Sequence, residues 1–208
     1  MGESKKQKFM KAALLATMLL SGGTVARAQV YNSEKEAADF TANSTENTFN
    51  ENVILKNFIE AGKGTFNITA TGTDNIFKKS LQINANEGTV NVIAKRNNEV
   101  GSIYIQNGVF GSGRLGNRMF ITANEGTNTI GSVGGAKNGR LVVKSKSGNI
   151  FTNTLEPRPD IKIEANSSEG VNEFNGRIDI WYNSPTSKDE AHLKATGIGN
   201  KFSSNILL

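Results

Sequence analysis

Side chains that could do chemistry are few and far apart in this 208-residue chain. Glycoside hydrolysis needs two carboxylates facing one another across the scissile bond, and an oxygen-ligated calcium site needs clustered acids. After the first 28 residues the aspartates are Asp39, Asp74, Asp160, Asp179 and Asp189, with no Asp-Asp pair among them. Glu87, Glu125 and Glu164 come one per repeat, and Glu87 and Glu125 share the same place in two Ala-Asn-Glu-Gly turns. Stacking of those turns would bring the two carboxylates together; the plainer reading is a solvated turn carboxylate. His192 is the only histidine, which excludes His-based metal clusters and most catalytic triads and leaves it as a surface or strand-edge residue. The run Gly111-Ser-Gly113-Arg-Leu-Gly116 lacks the Gly-Lys-Ser/Thr ending and the following helix that would aim N–H groups at a phosphate, so it reads as a loop. No catalytic, cofactor-binding or metal-binding residue is assigned, and no cofactor is expected.

Trp181 and Tyr182 are the remaining candidates. They end an expected strand, Ile178 to Tyr182, whose alternation must point one of the two rings outward. An exposed ring there is a contact for a sugar or a partner protein, since aromatics are enriched at interfaces. Packing against the preceding rung is the structural alternative.

The elements that must position these residues are repeats. Met119 to Ile130 contains the pattern apolar-x-Ala-x-x-Gly/Ser-x-Asn-x-apolar, which recurs at Phe40-Thr-Ala42 to Asn47-Thr-Phe49, Ile68-Thr-Ala70 to Asn75-Ile-Phe77 and Leu193-Lys-Ala195 to Asn200-Lys-Phe202. Looser copies begin at Ile83, at Val142 and, with two extra residues, at Ile163. A second element, Gly101-Ser-Ile103-Tyr-Ile105, reappears from Gly139 and Gly176. Short alternating β-branched and aromatic runs separated by Asn, Gly, Ser and Thr are strands and turns, and internal repetition at this period points to a stacked architecture. The expected fold is all-β, a parallel β-helix (β-solenoid) with turns of about 19–24 residues over residues 40–208. An antiparallel sandwich or barrel also has short, evenly spaced strands, but similarity between units favours the solenoid. In that stack Ala123 would be a corner, Gly126 a turn, Ile130 core, and Asn128 one step of a hydrogen-bonded asparagine ladder. Asparagine is abundant enough for this, at 26 residues.

Residues 29–39 are expected to form a cap or a leader. Ser33-Glu-Lys-Glu36 has capping-box spacing, so a short N-terminal capping helix would shield the first open edge. The inserts Asn107 to Asn117, Leu155 to Asp160 and Asn183 to Glu190 read as loops. The last repeat runs directly into Ser204 to Leu208 without a capping element, so end-to-end self-association is expected there.

Residues 1–28 have the layout of a cleaved signal peptide: Lys5, Lys6, Lys8 and Lys11, an apolar run from Ala12 to Leu20, and Ala26-Arg27-Ala28 as the cleavage site. About nine apolar residues fall short of the roughly 20 a membrane-crossing helix needs. The segment carries five of the 24 Lys and Arg and one of the 19 Asp and Glu, leaving 19 basic against 18 acidic residues. The scattered charge of the remainder is not that of a nucleic-acid binder. With no cysteine, an exported chain must hold together without the disulfides usual in small secreted folds.

Export signal, absence of cysteine and Asn/Gly/Thr-rich repeats together resemble the passenger region of a Gram-negative autotransporter, across about residues 40 to 208. Ala195-Thr-Gly-Ile-Gly-Asn200-Lys-Phe202 is similar to runs in vacuolating-cytotoxin-like passengers. The resemblance implies a non-enzymatic passenger at the cell surface or secreted, making adhesive or toxin-like contact with a host-cell or matrix surface or glycan. It also implies an outer-membrane translocator, whose C-terminal barrel this sequence has no room for. Such a barrel would be encoded downstream of a severed passenger, leaving a periplasmic fragment, or the chain is a short exported solenoid of another kind. A carbohydrate-active β-helix enzyme is the remaining alternative; it would need an acid cluster on one face of the stack.

Overall fold

A computed structural model describes residues 27–57, 63–107, 116–135, 139–156, 162–179 and 192–207. Residues 1–26 of the expected signal peptide, Trp181, Tyr182, the Asn183 to Glu190 loop and most of the other two expected loops lie outside the described residues. Every described strand pair is parallel, so the chain forms a β-solenoid and not an antiparallel sandwich.

Successive coils cross three walls. The chain enters with β1 (Gln29–Tyr31) and β2 (Lys35–Ala37), then β3 (Asp39–Ser44), β4 (Asn47–Phe49) and β5 (Val53–Asn57) make the next coil. The coils that follow are β6 (Lys63–Ala70) with β7 (Asn75–Ala85), β8 (Glu87–Ala94) with β9 (Asn98–Asn107), and β10 (Asn117–Ala123) with β11 (Thr127–Gly135). The last three are β12 (Gly139–Ser145) with β13 (Gly148–Phe151); β14 (Lys162–Ser167) with β15 (Val171–Phe174) and β16 (Ile178–Asp179); and β17 (His192–Thr196) with β18 (Gly199–Phe202) and β19 (Ile206–Leu207). The first wall is the sheet β17-β14-β12-β10-β8-β6-β3. The second and third walls are joined through β7, β9 and β11, which run through both, with a register irregularity between Phe77 and Ser80 at the bend.

Alternation fills the core. In the first wall, Phe66, Val90, Met119, Leu141 and Ile163 stack in one inward column and Ile68, Val92, Ile121 and Val143 in the next, all fully buried. The third wall faces them with Val53, Leu81, Ile103 and Val133. The second wall carries an aromatic column: Tyr31, Phe49 and Phe77 stack at 4.4 and 4.7 Å between ring centroids, Val100 and Ile130 continue it, and Phe151, Phe174 and Phe202 stack at 5.0 and 4.8 Å. Such ring pairs add about 0.5–1.5 kcal/mol each beyond burial. Burial holds the Tyr31 phenol above its ordinary pKa.

Beside that column runs the asparagine ladder. Asn47, Asn75, Asn98, Asn128, Asn149 and Asn172 are completely buried, and each Nδ2 donates to the Oδ1 of the next, ending on Asn200, at 2.8–2.9 Å. Each Nδ2 also donates to a carbonyl at the end of a first-wall strand or just after it, such as Ile93 O at 2.9 Å and Thr122 O at 2.9 Å. Ser44 Oγ lies 2.7 Å from Asn47 Oδ1 at the first step. The ladder therefore ties the second wall to the first at every coil, in a core with no disulfide. Its steps are 28, 23, 30, 21, 23 and 28 residues apart, so three coils exceed the expected 19–24.

Several expectations need correcting. The capping helix from Ser33 does not form: none of the described residues is helical, and Lys35, Glu36 and Ala37 pair with Val53, Ile54 and Leu55. A two-turn helix is marginal on its own, whereas β1 and β2 cover an edge, stack Tyr31 on Phe49 and set Glu36 against Lys56 at 2.9 Å. Residues 29–37 thus belong to the stack. Secondly, the repeats align at their asparagines, while their alanines fall in two columns, Ala42, Ala165 and Ala195 in one and Ala70 and Ala123 in the other. Ala42 pairs with Ile68 and Ala195 with Ala165, while Ala70 stands beside Ser44 and Ala94. The slip is two residues, which preserves which face is inward. The copy from Ile83 is out of phase altogether, since Ile83 and Ala85 lie in the third wall. The second element is not one place either: Gly101 and Gly176 sit at the bend between second and third walls, but Gly139 starts a first-wall strand.

Outer-face ion pairs add little. Arg140 Nη2 meets Glu164 Oε1 at 2.8 Å with both side chains partly exposed. Arg140→Ala should lower unfolding free energy by less than about 1 kcal/mol in urea titrations.

Candidate functional site

The acids singled out in the sequence are scattered over the stack. Glu87 lies at the start of β8 and pairs with Lys63 at 3.1 Å, whereas Glu125 is exposed in the turn after β10. The two shared turns therefore fall at different corners, and stacking does not bring their carboxylates together. Glu164 faces Arg140. Asp39 Oδ1 accepts from Thr65 N at 2.9 Å, and Asp74 Oδ1 accepts from Asn97 N at 2.9 Å, both fastening one coil to the next. Asp179 pairs with Arg177, while Asp160 and Asp189 lie outside the described residues. His192 is exposed on β17 beside Lys162. Of the glycine run, only Gly116 is described. No group of three His, Asp or Glu among the described residues could hold a metal ion.

A different place gathers polar groups. The outer face of the third wall carries a groove of about 460 Å³, within the size range of small-ligand sites. Two outward columns line it. One is hydroxylated: Ser80, Ser102 and Ser132 are paired rung on rung, with Thr154 beneath. The other runs Gln82, Tyr104, Gly134 and Glu156.

Strand parity sets this surface. Ile103 and Ile105 are buried, so Tyr104 between them must face outward, and it is 42% exposed. Gly134 is the next residue down that column, and a Cβ there would lie 3.6 Å from Tyr104 Cδ2. The ring thus leans over a rung that has no side chain.

Both ends of the groove are occupied by protein bonds. Above, Gln82 Nε2 donates to Ser80 Oγ at 2.6 Å, Ser80 Oγ donates to Asn52 Oδ1 at 2.8 Å, and Asn52 Nδ2 donates to Glu34 Oε2 at 3.0 Å. Below, Arg177 is paired with Asp179. Between them the side chains of Ser102, Ser132, Tyr104 and Glu156 make no hydrogen bond or ion pair among the described residues.

Tyr104 lies on an alternating strand just as Trp181 and Tyr182 were expected to, so strand parity marks it equally well. The hydroxyl column could not be seen in the sequence, because Ser80, Ser102, Ser132 and Thr154 become neighbours only once coil lengths of unequal size are known. No family model, no curated protein and no solved structure matches the chain.

Proposed function

We propose that this chain is an exported, non-enzymatic β-solenoid, passenger-like in architecture, that makes adhesive or toxin-like contact with a host-cell or matrix surface. The carrying observation is the all-parallel stack held by the buried asparagine ladder, which needs no disulfide and leaves one wall free to present a groove. The export part rests on the basic, apolar and small-residue layout of Lys5 to Ala28. Architecture supports a contact role without fixing the ligand.

Fractionation of Gram-negative cells expressing the full chain tests the proposal. The expected result is protein outside the cytoplasm with an N-terminus at Gln29, which coats host cells or matrix when added to them. Cytoplasmic protein that keeps the leader intact would overturn the export reading. Exported protein that coats neither surface would overturn the contact reading.

A further inference from the structure

We propose that the groove around Tyr104 binds an uncharged, extended oligosaccharide lying along the solenoid axis, an assignment that rests on the surface-contact reading above. Sugar recognition combines an apolar ring face, for the C–H side of a pyranose, with hydroxyls that both donate and accept. Tyr104 supplies the ring, and Gly134 leaves the rung beneath it without a side chain. Ser102 and Ser132 supply hydroxyls that no described protein group occupies, flanking that ring on the neighbouring column. Rungs recur at about 4.7–4.9 Å, close to the length of one pyranose in an extended glycan, so successive sugars would meet equivalent hydroxyls.

Charge narrows the class. Among the described residues no Lys or Arg lines the groove, Glu156 is a carboxylate without a partner, and the nearby Arg177 is held by Asp179. An acidic glycan would therefore meet repulsion from Glu156 and, among the described residues, no compensating cation.

The test is titration of the purified protein with cellohexaose and chitohexaose as neutral probes and hexagalacturonate as the acidic one, followed by calorimetry. At least one neutral hexasaccharide should bind, and the acidic one should bind more weakly. Tyr104→Ala and Gly134→Leu should each weaken neutral binding by about tenfold or more. Both variants should keep the wild-type circular dichroism spectrum, because Tyr104 is exposed and Gly134 has room for a side chain. No neutral binding at about 10 mM, preference for the acidic probe, or wild-type affinity in both folded variants would overturn the assignment. Failure here with intact export and surface coating condemns the groove alone; sugar binding by a protein that stays in the cytoplasm condemns the export reading alone.

Discussion

Asn98→Ala should lower the unfolding free energy by roughly 3–5 kcal/mol, the sum of two or three buried polar groups left unpaired at about 1–3 kcal/mol each. Asn98 accepts from Asn75 Nδ2 at 2.9 Å and donates to Asn128 Oδ1 at 2.8 Å and to Thr122 O at 2.9 Å. Truncation strands all three partners in a region where Asn75, Asn98 and Asn128 have no solvent contact. A matched control exists on the outside of the stack, where Asn91 Nδ2 donates to Asn67 Oδ1 at 2.9 Å in an exposed setting. Asn91→Ala removes a bond of the same chemistry and length, but water replaces it, so the loss should stay below about 1 kcal/mol. Urea unfolding of both variants separates the cases. Equal losses would mean that the ladder contributes through repetition alone and not through burial.

Asn98→Asp adds a sign. Its second oxygen would face Asn128 Oδ1, an acceptor against an acceptor, at a fully buried position. Burial and this repulsion would raise the folded carboxyl pKa above the ordinary value of about 3.9. The folded state would then bind more protons than the unfolded one, so stability would be retained below that value and lost as pH rises through the folded pKa. A variant that becomes more stable on going from acid to neutral pH would contradict the ladder's donor direction.

How far the sequence can be read follows from which residues have a single physical solution. Asn47, Asn75, Asn128 and Asn200 recur two residues before Phe49, Phe77, Ile130 and Phe202, and this short spacing lies inside one strand, where local geometry fixes it. The ladder and the aromatic column were therefore legible. Asn98 belongs to the same ladder but follows its alanine, Ala94, by four residues where the exact copies have five, so burial and not similarity places it. The alanines mislead because they lie across a turn whose length varies; a two-residue change there leaves every inward side chain inward and costs the fold nothing at the strand. The helix expected at Ser33 fails for the opposite reason, since a local signal yields to an edge that only the folded stack presents. The candidate site depends on contacts between rungs, and those depend on coil lengths that differ from 21 to 30 residues. Strand parity, used only for Trp181 and Tyr182, would have found Tyr104 as an outward aromatic but not its hydroxyl neighbours.

The second large effect concerns a backbone approach. Gly131→Ala should cost at least about 3 kcal/mol, the range of severe core defects. A Cβ on Gly131 would lie 1.9 Å from Gly101 O and 2.9 Å from Gly101 C, distances that no real contact allows. Gly101 has nowhere to retreat, since its own Cβ position lies 2.7 Å from Lys79 O and 2.8 Å from Lys78 O in the coil above. Relief must come from separating β9 and β11 at the bend, with Ile130 and Val133 buried on either side and the Asn98–Asn128 step three residues away. The φ of Gly131 is not in the left-handed region, in contrast to Gly148 at 134°, so the requirement for glycine here is space and not backbone angle. Gly134→Ala, three residues along the same strand, is the control: its Cβ meets only Tyr104 at ordinary contact distance, and removing a glycine's freedom from the unfolded chain should leave stability unchanged or raised by up to about 1 kcal/mol. In a stack where each coil contacts only its neighbours, the Gly131 defect should also be local. Hydrogen exchange should lose protection in β9 and β11 while β3 to β6 stay protected. If Gly131→Ala and Gly134→Ala unfold within about 0.5 kcal/mol of one another, the close packing of coils at this bend is not what holds them in register.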